Sequence, residues 1–370
     1  MFCIATFIVF GVIAIFSASF RPLAAKAWHC VVRRMTLRPC DISFGEEMKG
    51  KLVGKLIFSH PRLARFINKW IDWLSFIFVA LSIWSLVYVA NAGLNLWVYD
   101  TCNPQSAESC SLSGEACGVS QISLGIVQAA KEGRLGEWAG GPFVRFGQTL
   151  SRIPDRLKSW NARDYLGPSA TFFHAQDTAK PYALEIIDPS CKFCKKLTKN
   201  MVDADAMNAL NVSYLLYPIP SATSSGGYKF PHSYEMASYI EAVKQVPLTH
   251  GDTSVSADWQ FIEKIFAEPA AGEDADLQSR FVMGMTDDDA VRQLQHLLQE
   301  IGYTTDEVSR IAVLADSPAI KASLTAQRSI VEQRIRTIKI PTLLIAGRRY
   351  DRVIDTSAIK AKIDAARAAR

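Results

Sequence analysis

Two apolar runs without a single Asp, Glu, Lys or Arg mark the first hundred residues, 1–20 and 73–99. As a helix, either is long enough to cross a bilayer. The second, at 27 residues, exceeds ordinary core helices and carries Trp73, Trp84, Trp97 and Tyr99, aromatics suited to membrane interfaces. Beyond residue 100 the pattern becomes that of an α/β domain. Tyr182–Ile187 (YALEII) is almost continuously apolar and predicts a buried parallel strand. Residues 211–217 predict a second strand, and helical patterns run over 233–246, 287–301, 317–335 and 355–370. The helix at 287 opens on acidic residues and meets Gly302 just past its end. Pro341 heads another apolar run, a position where a strand tolerates a residue that cannot donate to the ladder. Between 118 and 165, Gly136, Gly140, Gly141, Pro142 and Pro154 predict a connector of short helical pieces. Residues 127–134 and 146–160 mix apolar and basic positions, as a membrane-surface helix would and as a helix packed on the domain would.

Charge gives these spans an orientation. Residues 21–70 hold eleven Lys/Arg (Arg21, Lys26, Arg33, Arg34, Arg38, Lys49, Lys51, Lys55, Arg62, Arg65, Lys69) against Asp41, Glu46 and Glu47. That segment is +8 in a chain of net +5, which leaves −3 for the rest. By the positive-inside rule the basic segment is cytoplasmic and both flanks face out. The chain then reads as a transmembrane helix (1–20), a basic cytoplasmic loop (21–72), a second transmembrane helix (73–99), an extracytoplasmic cysteine-containing connector (100–164) and a catalytic domain (165–370). A cleaved signal peptide would carry basic residues before its apolar run, whereas here they follow it. A nucleic-acid patch would not need two flanking apolar spans, so no nucleic-acid partner is expected. Membrane lipids are, and anionic ones suit the loop.

The candidate chemistry lies at Cys191-Lys192-Phe193-Cys194, directly after the first predicted strand and at the start of a helical pattern. Two cysteines three apart in a first helical turn face the same way and can close a small disulfide. A helix N-terminus lowers the pKa of the first thiol and makes it the nucleophile; Lys192 adds charge of the same sign of effect. Glu185, inside the apolar strand, costs several kcal/mol if buried, ionised and unpaired, so it either titrates high or turns to solvent. Of the eight cysteines, Cys3, Cys102, Cys110 and Cys117 fall on the outer side of this topology. They suit structural disulfides, the commoner fate in an oxidising compartment, while a pair in the 102–117 loop can instead exchange electrons with Cys191 and Cys194. Cys30 and Cys40, beside His29, make three ligands of a metal site without a fourth. The six histidines show no metal-ligand spacing, and neither a metal nor another cofactor is expected.

Strand, CxxC, helix and a distant Ile340-Pro341 ahead of an apolar strand together resemble the thioredoxin superfamily, and DsbA-like thiol–disulfide oxidoreductases in particular. The resemblance covers about residues 165–370 and implies a thioredoxin-like α/β fold. It explains the 147 positions between Cys194 and Pro341 by a helical insertion over about 230–335. It implies that Cys191, the more exposed cysteine, attacks and Cys194 resolves, the two cycling as a redox-active disulfide. Glu185 would relay the proton, and Ile340 with a cis-Pro341 would line the substrate groove. Expected partners are exported proteins bearing thiols or disulfides and a membrane redox partner. Lys192-Phe193 matches neither the Pro-His of strongly oxidising relatives nor the Gly-Pro of reducing ones, so direction stays open, with the DsbA-like insertion leaning it toward oxidation. Two other readings fit the same fold: a binding or chaperone module without turnover, and a metal-delivery protein, whose usual CxxxC and distant histidine this chain lacks.

Overall fold

The computed structural model describes residues 61–99, 116–118, 125–221, 227–268, 276–337 and 339–368, with three isolated positions at 25, 28 and 29. The expected span at 1–20 and Cys3, Cys30, Cys40, Cys102 and Cys110 lie outside the described residues. The chain divides into two compact units, Met1–Ala90 and Asn91–Arg370. Helix α1, Pro61–Tyr99, is 39 residues long. It starts twelve residues before the apolar run, because Pro61 suits a first helical turn and neither glycine nor proline follows before Gly93. Its segment Phe76–Tyr99 is long and apolar enough to cross a membrane, and little of it is buried. Trp73, Leu81, Leu86 and Val89 are exposed.

Within the second unit, helices α2 (Ile126–Lys131), α3 (Leu135–Leu150) and α4 (Ile153–Leu157) follow the two-residue strand β1, Cys117–Gly118. The break expected at Gly140-Gly141-Pro142 does not occur, and α3 runs through it. A proline pushes its predecessor out of helical conformation by meeting that residue's Cβ, and Gly141 has none. Thr149 of α3 donates to Asn95 Oδ1 on the last turns of α1 (2.6 Å), and both side chains are buried.

The core is a four-stranded mixed sheet in the order β3–β2–β5–β6, from β2 (Tyr182–Ile187), β3 (Asn211–Leu216), β5 (Thr342–Ile345) and β6 (Arg348–Tyr350). β2 and β3 run parallel, joined through α5 (Lys192–Asp203) and the short α6 (Ala206–Ala209). β5 is antiparallel to β2, with Leu343 opposite Glu185, and β6 folds back on β5. Every residue of β3 and β5, and all of β2 but its first, is buried, as expected of a sheet covered on both faces. β5 and β6 meet at Ala346-Gly347, both with positive φ (51° and 73°), the pair of angles that a two-residue type I′ hairpin requires.

Between β3 and the proline strand lie α7 (Ser233–Val243), α8 (Ala257–Ile265), α9 (Leu277–Met283), α10 (Asp287–Glu300), α11 (Thr305–Ala315) and α12 (Pro318–Ser329). α12 continues as a π-helical turn, Ile330–Ile335, and α13 (Thr356–Ala368) closes the chain. Gly302 ends α10 with φ 112°, and a Cβ there would sit 2.1 Å from the His250 carbonyl oxygen. The outer edge of β3 is met by α12: Gln327 Oε1 accepts from Leu216 N (2.8 Å) while its Nε2 donates to Glu241 (3.0 Å). The CxxC stands at the head of α5 and a proline before β5, in a mixed α/β arrangement.

Candidate functional site

β2 ends at Ile187, and Asp188-Pro189-Ser190 turns the chain into α5, with Cys191 as the N-cap. The turn is held by Asp188, whose carbonyl accepts from Cys191 N (2.9 Å) and whose carboxylate accepts from Ser190 N (2.9 Å) in an Asx turn. The same carboxylate accepts from Ile219 N (2.8 Å), after β3, and from Ser233 Oγ (2.6 Å), at the start of α7. Gln278 of α9 adds a bond from Nε2 to Pro189 O (2.8 Å). The loop bearing Cys191 is thus tied to three separate elements. Asp188 escaped the sequence reading, although Asp-Pro-Ser before a helix is an Asx-turn signal.

Cys194, Leu197, Thr198 and Met201 form the buried face of α5, at helical spacing. Cys194 is a free thiol, fully buried, whose Sγ accepts from Asp188 N (3.4 Å). One turn further, Thr198 Oγ1 lies 3.2 Å from each carboxyl oxygen of Glu185, which is also fully buried. Burial pushes the Glu185 pKa up to about 8, with the Thr198 hydrogen bond opposing it. Burial likewise raises Asp188, to about 6, against the pull of Ser233 and the Ile219 and Ser190 amides. The Cys194 thiol is pushed well above its ordinary value by burial, then by the charges of Glu185 and Asp188.

Ile340-Pro341 is a cis peptide bond, and Ile340 is buried with its carbonyl oxygen 3.8 Å from Cys191 Sγ. Thr337 and Thr342 hydroxyls both donate to Lys339 O (2.8 Å each) and both reach Asp351 Oδ1 (3.2 and 3.0 Å). Arg349 in turn holds Asp351 (2.7 Å). This network fixes β4, Lys339–Ile340, beside the head of α5.

Two expectations about the cysteines change. Cys191 is not the more exposed of the pair: both sulfur residues are fully buried. The cause is β1, which pairs antiparallel with β4, Cys117 opposite Ile340 and Gly118 opposite Lys339, and lies across Cys191. Cys117 is disulfide-bonded to Cys191 itself, 74 positions away, rather than bridging to another cysteine of its loop. Cys194 is left as the thiol, so the Cys191–Cys194 bond is open in this structure. Beside the disulfide lies a groove of about 580 Å³, lined by Lys192, Phe193, Lys229, Phe230, Val282 and Met283 among others.

A second cleft, of about 360 Å³, sits away from the cysteines among α4, the hairpin β5–β6 and the end of α1. It is rich in arginine but partly neutralised within itself, Arg336 pairing with Asp155 and Arg349 with Asp351. Burial, then the facing Arg336 charge, lowers the Arg152 pKa there.

No protein-family model and no curated protein matches the chain. Solved structures do. A thioredoxin-like oxidoreductase from Silicibacter pomeroyi is 16% identical, covering 56% of this chain and 99% of its own, with a TM-score of 0.40. The reduced disulfide bond oxidoreductase DsbG from Mycobacterium tuberculosis is 16% identical over 56% and 98%, TM-score 0.37. The thiol-disulfide exchange protein alpha-DsbA2 from Wolbachia pipientis is 16% identical over 52% and 86%, TM-score 0.34.

Proposed function

We infer that the chain is a membrane-anchored, DsbA-like thiol–disulfide oxidoreductase of the thioredoxin superfamily that acts outside the cytoplasm on exported proteins. One observation carries the reading. Cys191, the N-cap of α5, is bonded to an extended segment paired with the strand that leads into cis-Pro341, and a free Cys194 thiol waits one turn below. That is the geometry of a mixed disulfide before resolution.

In the forward sense the Cys191 thiolate, stabilised by the N-terminus of α5, attacks a substrate disulfide and a mixed disulfide forms. Cys194 loses its proton toward Glu185 and attacks Cys191 Sγ. The substrate leaves reduced, and Cys191–Cys194 is the product disulfide. Run backwards, the same steps oxidise a substrate dithiol. Ile340 and Pro341 hold the substrate backbone opposite the sulfurs, and the groove beside them offers Phe193 and Phe230 to its side chains.

Anchoring is supported by the apolar span Phe76–Tyr99 and by a row of exposed apolar residues on the helices that follow, Ile126, Val127, Leu135, Phe143, Val144 and Leu157. Orientation rests on the basic segment at 21–70.

Insulin reduction by the full chain in detergent, with Cys191→Ser as control, tests the activity, and equal rates in the two proteins would sink it. The reduction potential of the Cys191–Cys194 couple assigns the direction. A membrane-impermeant thiol reagent on intact cells should label reduced outer cysteines and miss Cys30 and Cys40. The opposite pattern would reverse the topology.

A further inference from the structure

The place where a substrate strand would lie is filled by the chain itself. β1 makes main-chain pairs with β4, and its register sets Cys117 opposite Ile340, next to the Cys191 sulfur. Lys229 Nζ adds a bond to Gly118 O (3.0 Å). Ala116 and Cys117 are buried, while the groove continues openly past them toward Met283, which is exposed. Extended peptides bind such a strand by main-chain pairing together with pockets for alternate side chains, which is how β1 is held. A structural staple has no need of a second thiol beneath it, yet Cys194 sits there unbonded.

We propose that Cys117 is a third redox-active cysteine: its strand is a tethered substrate, and the chain exchanges one disulfide internally between Cys117–Cys191 and Cys191–Cys194, closing and opening the groove. The proposal rests on the reading of Cys191 as the nucleophile.

The step balances without an outside oxidant. The Cys194 proton passes to the Glu185 carboxylate, and the thiolate attacks Cys191 Sγ. The Cys191–Cys194 bond forms as Cys117–Cys191 breaks. Cys117 leaves with the electron pair as a thiolate and is then protonated. One disulfide and one thiol are present before and after. Once its sulfur is released, β1 is held among the described contacts by a two-residue pairing and the Lys229 bond, and an incoming extended peptide can displace it. A tethered strand competes for the groove at an effective concentration in the millimolar range, against micromolar substrate in an assay, so its presence slows turnover by about tenfold or more.

The test uses the full chain in detergent, equilibrated over a range of glutathione ratios, acid-quenched, alkylated and mapped by mass spectrometry, with insulin reduction in parallel. Wild type should show both disulfides. Cys194→Ser should hold only Cys117–Cys191. Cys117→Ala should hold only Cys191–Cys194 and turn over insulin about tenfold faster. Lys229→Met, which keeps every cysteine, should shift wild-type proportions toward Cys191–Cys194 and guards against misfolding of the cysteine variant. The proposal is overturned if Cys117 is alkylated at every ratio in Cys194→Ser. A wild-type Cys117–Cys191 bond that never exchanges, a structural staple, overturns it too. So does an unchanged insulin rate in Cys117→Ala. If both isomers are mapped but no form outpaces Cys191→Ser on insulin, the enzyme reading fails and the exchange stands. Cys191-dependent insulin reduction with no Cys117–Cys191 bond gives the reverse.

Discussion

Replacing Glu185 by glutamine separates the proton held at this site from the shape that holds it. Glu185 is fully buried in the central strand β2, between Tyr214 and Leu343, with only Thr198 bonded to its carboxyl among the described contacts. Its pKa rises from 4.5 to about 8 on folding, chiefly by burial. At 1.36 kcal/mol per unit, that displacement corresponds to about 5 kcal/mol between folding with the proton and folding without it. The folded site binds its proton more tightly than the unfolded chain does. Stability from this group is therefore complete below about pH 4.5, falls as pH rises toward 8, and is flat above. Glutamine keeps a carbonyl for the Thr198 hydroxyl and abolishes the titration, but buries an amide NH2 that costs about 1–3 kcal/mol if unpaired. The variant should be less stable than wild type by that amount at pH 4.5, and more stable by about 2–4 kcal/mol at pH 8.5. Denaturant midpoints of the full chain in one detergent, across this pH range, measure the crossing. Loss of the proton acceptor should also slow Cys194 attack about a hundredfold at pH 8.5, where Glu185 is mostly ionised, and remove the inflection near pH 8 from its rate profile. A stability difference that stays parallel from pH 4.5 to 8.5, with an unchanged rate profile, would refute the reasoning.

Asp188→Asn leaves one acceptor where the carboxylate now serves the Ser190 and Ile219 amides and the Ser233 hydroxyl. It should cost about 1–3 kcal/mol at pH 7 in denaturant unfolding and slow insulin reduction by loosening the Cys191 turn. Lys244→Met strands Glu241, since the two are 2.9 Å apart and both side chains are nearly inaccessible. Burial raises the Glu241 pKa, but Lys244 and the Ser169 and Ser323 hydroxyls outweigh it and hold the carboxyl below its ordinary value. The pair thus stabilises the fold above the unfolded pKa of about 4.5 and is lost as pH falls below it. The variant should lose about 3–5 kcal/mol at pH 7, with the deficit shrinking in acid. Ala346→Gly relieves a left-handed alanine (φ 51°) at the β5–β6 turn and should stabilise by about 0.5–1 kcal/mol after the added freedom of the unfolded chain; a lower thermal midpoint would contradict that account.

What the sequence discloses here is what local chemistry encodes. Tyr182–Ile187 is a strand with the bounds its apolar run predicts, and the helices begun at 233 and 287 start where their patterns do. α11 was missed although Thr304 and Glu307 form a capping box at its head. α8 was also missed: its nine residues bury Trp259, Phe261, Ile262 and Ile265, a short pattern that mixes with its neighbours. α3 is one helix where the glycines and prolines at 136–142 predict short pieces, and Gly141 presents no Cβ to the Pro142 ring. Nothing local encodes β1. Two residues have no period, and their meaning comes from partners at Ile340 and Cys191 that only the folded chain brings together. The exposure assigned to Cys191 failed for the same reason, since the covering strand comes from far along the chain.

The two buried carboxyls near Cys194 are not equivalent, and their surroundings divide the work. Glu185 titrates near 8 and Asp188 near 6, so at neutral pH the first mostly carries a proton while the second is mostly charged. The Asp188 charge is committed to three donors that fix the turn, and a proton delivered there would loosen Ser190, Ile219 and Ser233 together. Glu185 binds one hydroxyl, so it can gain or lose a proton with little rearrangement. That hydroxyl, on Thr198, lies four residues after Cys194 on the same buried face of α5. Each carboxylate raises the Cys194 pKa while charged, so the thiol gives up its proton most readily when the acceptor becomes neutral by taking it. Of the two, only Glu185 can do so without releasing the loop that holds the nucleophile.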